Sequence, residues 1–141
     1  NKMRWTEEAL ADFKHRIRQL TKRSWGISMH RRYRELRRYI QGWMNYFGLS
    51  EYYRPLPLLD EWLRRRIRMC YLKQWRKPRT RIRNLIRLGV RTQTAVSLGL
   101  SSKGPYRLAR TLATQSGMTN KWLTEQGLVS IREQWITLHY A

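Results

Sequence analysis

The chain has 141 residues, and its 30 Lys+Arg against 9 Asp+Glu give a formal net charge of +21. Self-repulsion at that charge works against a compact fold, so a polyanion is the expected partner, nucleic acid first. A hydrophobic content of 41%, with 7 Trp and 8 Tyr, excludes a disordered basic tail, and no uncharged apolar run is long enough to span a membrane.

In chain order, Thr6 is placed to cap a first helix, with Glu7 and Glu8 in the first turn where the helix dipole favours anions. Leu10, Phe13, Ile17 and Leu20 recur at helical spacing, and Ser24-Trp25-Gly26 is the expected stop. Ser28 is placed to cap a second helix, whose Leu36, Ile40, Trp43 and Phe47 form one apolar stripe. Two residues back in register is about 200° of rotation, which puts Arg34, Arg38, Gln41 and Asn45 on the opposite face. Gly48 is the expected end.

After a Pro55-Leu56-Pro57 turn, a third helix should run to about Lys77 with Leu59, Leu63, Ile67 and Cys70 inward. Glu61, Arg65, Arg68, Leu72 and Arg76 form its opposite row, with Leu72 marking a second contact surface. Three amphipathic helices with short connections predict a three-helix bundle over residues 1–78. From 79 to 141 the pattern is a basic linker and short helices. Thr80 is expected to cap a fourth helix through Ile82, Leu85 and Ile86, stopped by Gly89, and a fifth covers Thr92 to Leu98. Ser102-Lys103-Gly104 reads as a loop. Ser130-Ile131-Arg132-Glu133 matches a capping box and opens a last helix carrying Trp135 and Leu138. No alternating strand pattern or internal repeat is visible, so the fold class is all-α.

The inventory speaks against catalysis. His15, His30 and His139 are scattered, and Cys70 sits on the core face. The acids mostly sit at helix starts, and there is neither an Asp pair for two-metal chemistry nor a glycine-rich phosphate loop. No catalytic residue, metal site or cofactor is expected in these residues. One cysteine forbids an internal disulfide and is compatible with a reducing compartment. No secretory leader pattern is present, and the start at Asn1 suggests a piece of a longer chain.

The charge points elsewhere. Of the basic residues, 23 are Arg and 7 are Lys, and 25 of the 30 lie at or before Arg91. A guanidinium grips phosphate in two places and stacks on bases, so the bias favours structured RNA or duplex contacts. The densest run holds Arg64, Arg65, Arg66, Arg68, Lys73, Arg76, Lys77, Arg79, Arg81, Arg83, Arg87 and Arg91, opposed only by Asp60 and Glu61 just upstream. Tyr71 and Trp75 within it are either base-stacking platforms or core. Ala95 to Ser101 imitates a helix-turn-helix turn, but Pro105 would fall in the first turn of the second helix and remove a donor there.

Two blocks are specific together: Gly42-Trp43-Met44-Asn45-Tyr46-Phe47 at the end of the second helix, and Trp75-Arg76-Lys77-Pro78-Arg79-Thr80 after the third. With Leu59-Asp60-Glu61-Trp62-Leu63 between them and Lys103-Gly104-Pro105-Tyr106-Arg107-Leu108 beyond, they resemble the maturase-specific region of bacterial group II intron-encoded reverse transcriptases. The resemblance extends through Gly127-Leu128 and departs from the usual pattern at Pro105. It implies that residues 1–78 are a thumb, or domain X, which follows an upstream fingers-palm polymerase domain, clasps template-primer duplex and binds group II intron RNA for splicing. It further implies that residues 79–141 are a DNA/RNA-binding region associated with DNA-target binding during retrohoming, that the parent is an RNA-directed DNA polymerase, and that the setting is the bacterial cytoplasm. The expected RNA or DNA contacts are Arg34, Arg38, Gln41, Asn45, Arg64, Arg65, Arg68, Lys73, Arg76, Lys77, Arg79, Arg81, Arg83, Arg87, Lys103 and Arg107. Residues alone leave open a stand-alone basic helical DNA-binding regulator or a ribosome-associated RNA-binding protein.

Overall fold

A computed structural model describes residues 6–48 and 53–140. Among them the chain forms helices only, in the order α1 (Glu7–Leu20), α2 (Met29–Phe47), α3 (Pro55–Gln74), α4 (Pro78–Arg87), α5 (Thr92–Gly99), α6 (Pro105–Ala109), α7 (Leu112–Gly117), α8 (Asn120–Gln126) and α9 (Ile131–Tyr140). The all-α expectation holds. Two compact units divide within α3: residues up to Leu63 pack with those from Thr124 onward, and Arg64–Leu123 pack with one another. These are units of packing, a different division from the functional one expected at residue 78.

In the first unit, local chemistry sets the helix starts as the sequence predicts. The Thr6 hydroxyl accepts from the Ala9 amide at 3.0 Å, and the Ser28 hydroxyl accepts from the Arg31 amide at 3.1 Å. α1 stops at Leu20, before Ser24-Trp25-Gly26, and the Thr21 hydroxyl turns back to donate to the Ile17 carbonyl at 2.6 Å. Phe13, Ile17 and Leu20 are buried on α1, and Leu36, Ile40 and Trp43 on α2. The rings of Phe13 and Trp43 meet at 4.4 Å between centroids. The Phe47 side chain lies outside the described residues. Burial raises the Tyr39 hydroxyl above its ordinary pKa, and Arg16 opposes the shift.

Gly48 ends α2, but with φ −71° it is not a left-handed cap. Its role is space: a Cβ there would stand 2.5 Å from Leu138 Cδ2 of α9 and 2.2 Å from the Met44 carbonyl oxygen. The Pro55-Leu56-Pro57 segment, expected as a turn, is the first turn of α3, where a missing N–H costs nothing because no intrahelical acceptor exists for it. α9 returns to this unit through Asp60. That buried carboxylate accepts from the Ile131 amide at 2.7 Å, the Arg132 amide at 3.0 Å and the Ser130 hydroxyl at 2.8 Å. An acid expected to serve its own helix start thus caps the N-terminus of another.

The second unit is built from shorter pieces. α4 starts at Pro78 with Lys77 as its cap residue, rather than at Thr80, since proline's fixed φ suits a first helical position. Gly89, at φ +96°, stops it as expected. Residues 102–104 form the predicted loop, but Pro105 then opens α6. α5 packs on α4 at Gly99, where an added Cβ would stand 2.3 Å from Ile82 Cγ1. Ile67, Cys70, Leu72, Leu85, Leu108, Met118 and Leu123 are buried. Tyr71 is also core, with its ring 5.0 Å from that of Trp122 and 5.4 Å from that of Trp75.

Candidate nucleic-acid interface

Arg64–Leu123 contains 16 of the 30 basic residues and none of the 9 acidic ones. The first unit holds the other 14 cations together with every acid, so the excess is confined far more sharply than the boundary at Arg91 suggested. A cation in the second unit has no carboxylate of its own unit to face. It is solvated, meets a neutral acceptor or meets an anion from outside its own unit.

Two of the expected contact residues take the neutral acceptor, and here the structure corrects the sequence. Arg68 is only 4% exposed; its Nε donates to the Met118 carbonyl at 2.7 Å and its Nη2 to Asn120 Oδ1 at 2.9 Å. Burial, and to a lesser degree the neighbouring Arg64 charge, pulls its pKa down to about 10, so it stays cationic at neutral pH. Arg81 is 6% exposed and donates from Nη2 to the Leu72 carbonyl at 2.6 Å, and burial lowers its pKa too. Neither guanidinium is free to meet a phosphate. The row expected to face away from the core of α3 is therefore closed at Arg68 and Leu72, with Met118, just after α7, and Asn120 of α8 supplying partners to Arg68.

Arg32 of the first unit follows the same rule. It is 2% exposed and donates to the carbonyls of Leu20 at 2.7 Å, Lys22 at 3.3 Å and Trp25 at 2.8 Å. The three buried guanidiniums meet carbonyls at or just beyond the C-terminal ends of α1, α3 and α7. There the helix leaves unpaired oxygens and the negative end of its dipole. Charge burial without a carboxylate is stabilised by these oxygens, although the Nε of Arg32 and of Arg81 has no partner.

The remaining candidates sort by exposure. Arg34, Arg38, Gln41 and Asn45 are all exposed on α2, as the register predicts. Arg38 comes within 3.8 Å of Glu35, but its side chain is 74% exposed, so that pair constrains it little. In the second unit Arg76, Lys77, Arg79, Arg83, Arg87, Lys103 and Arg107 are exposed, and Arg64, Arg65 and Lys73 are half-buried. Arg65 is already engaged: its Nε donates to the Tyr106 carbonyl at 3.1 Å and its guanidinium lies 3.6 Å from the Tyr106 ring centroid. Arg79, Arg83 and Arg87 stand four residues apart on one face of α4, while Arg81 and Leu85 face inward. Ile82 and Ile86 line a shallow groove with these three arginines.

A second groove lies in the first unit, at the junction of α1 and α2. Arg16, Lys22 and Arg31 line it together with Gln19, Trp25 and Glu35. Sequence reading took the Trp25 segment only as a helix stop. The missed signal was a tryptophan flanked by cations at both helix ends.

Among the described residues no group of three or more His, Cys, Asp or Glu side chains could hold a metal ion, and no helix is long and apolar enough to cross a membrane. The group II intron, maturase-specific domain family matches residues 10–89, which hold most of α1 and all of α2, α3 and α4. No curated protein matches the chain.

Proposed function

The chain belongs to the group II intron maturase-specific domain family, which gives it a maturase-related function in RNA splicing with group II intron RNA as partner, and from that premise we propose that its exposed arginines grip the RNA backbone. The observation that carries this reading is a unit with 16 cations and no acid, whose α4 presents Arg79, Arg83 and Arg87 on one open face. Phosphate is the anion whose geometry a guanidinium matches in two places. Contacts of this kind position a nucleic acid without reading its sequence, so selection of one intron would come from RNA shape. The α2 row of Arg34, Arg38, Gln41 and Asn45 would supply a further set, with the two amides able to bond to 2′-hydroxyl or base-edge groups.

The finer reading extends the same physics to mobility. The chain would be the thumb of a reverse transcriptase, clasping template-primer duplex, with its chemistry supplied by an upstream fingers-palm domain. Lys103 and Arg107, exposed in and after the α5–α6 loop, would serve the DNA target.

The test is binding of a group II intron RNA to the full chain between about 50 and 200 mM salt. Log affinity is expected to fall linearly and steeply with log salt as condensed counterions are released. An affinity that does not change with salt contradicts the backbone grip. For the DNA arm, Lys103→Ala with Arg107→Ala should weaken binding to a DNA target duplex while leaving intron RNA binding within about twofold.

A further inference from the structure

The groove at the α1–α2 junction has a composition that backbone gripping alone does not explain. Three cations, Arg16, Lys22 and Arg31, surround a single tryptophan, and Glu35 is the acid among the lining residues. The cations are exposed and Trp25 is half-buried. The volume of about 510 Å³ falls within the range of small-ligand pockets, roughly 300–1,000 Å³. A duplex backbone needs no such recess.

Trp25 is also held in place. The buried Arg32, which does not line the groove, donates to the Trp25 carbonyl at 2.8 Å and places its guanidinium 5.5 Å from the indole centroid. A cation near the ring fixes and polarises the indole. On the open side, Arg16 spends one amino group on Gln19 Oε1 at 3.0 Å and keeps further donors. A rigid aromatic surface with cations spaced around it matches an unstacked base and the phosphates on either side of it.

We propose that this groove binds one unpaired nucleotide of an RNA, with its base on Trp25 and its flanking phosphates on Arg16, Lys22 and Arg31. The proposal rests on the intron-RNA reading and adds a site that selects for a bulged or looped-out nucleotide. The arginine rows offer no such selection.

Two RNA hairpins that differ only by one bulged 2-aminopurine test it, using the full chain. The wild-type chain is expected to bind the bulged hairpin about tenfold more tightly than the paired one and to quench the 2-aminopurine fluorescence on binding. Trp25→Ala should abolish both the preference and the quenching while leaving affinity for the paired hairpin within about twofold, and Trp25→Phe should keep most of the preference. Should Trp25→Ala lower the melting temperature, the exposed pair Lys22→Glu and Arg31→Glu carries the test, with the same loss of preference expected. Equal affinity of the wild-type chain for the two hairpins overturns the proposal and leaves the backbone grip standing, as does a preference that survives the variants. Failure to bind either hairpin overturns both.

Discussion

The two packing units bury arginine in the same way but differ in the acids they hold. In the first, every acid of the chain shares the unit with its 14 cations, and a buried acid does structural work: Asp60 holds the first amides of α9. The second holds no acid at all, and its buried cations meet neutral oxygens, Arg68 at Met118 and Asn120 and Arg81 at Leu72, as Arg32 does in the first unit. The lesson is that one residue type has two fates in one charge run. Arginine turned inward completes a helix end, whereas arginine turned outward keeps a charge that nothing in its own unit neutralises.

The largest effect expected from breaking this comparison is at Arg68. Arg68→Ala removes the buried hydrogen bonds to the Met118 carbonyl and Asn120 Oδ1 and opens a cavity, and should cost about 3 kcal/mol in thermal or denaturant unfolding. A loss below about 0.5 kcal/mol would mark it as an ordinary surface cation and erase the distinction. Next is Gly99→Ala, which drives a methyl to within 2.3 Å of Ile82 Cγ1 and should cost about 2 kcal/mol through overpacking. Asp60→Ala should cost about 1 kcal/mol and speed hydrogen exchange at the first amides of α9, the acid-side counterpart of Arg68. Arg34→Ala with Arg38→Ala should change stability by less than about 0.5 kcal/mol, because both are exposed.

The first unit was more legible in the sequence than the second, and the reasons are physical. Two long helices with Thr6 and Ser28 at their caps and unbroken apolar stripes leave little freedom, and α1 and α2 follow the expected faces. In the second unit α7 and α8 are too short for a periodic stripe, so nothing revealed that they cover Arg68. A signal was nevertheless present. Arg32, Arg68 and Arg81 each precede a buried leucine by four residues, namely Leu36, Leu72 and Leu85, and so share its helical face. The same spacing joins exposed Arg16 to buried Leu20, so register narrows the set and the covering element decides it. The row on α2 was readable because no such element covers it. The groove around Trp25 was not, since it is assembled from the end of one helix and the start of the next.

The most direct test of the two fates is the triple variant Arg79→Ala, Arg83→Ala and Arg87→Ala, followed by salt-dependent binding of group II intron RNA and by thermal melting. Loss of three phosphate contacts should reduce the slope of log affinity against log salt by about two to three, with the melting temperature unchanged. An unchanged slope, or a fall in melting temperature like that expected for Arg68→Ala, would contradict the assignment of the outward arginines to RNA.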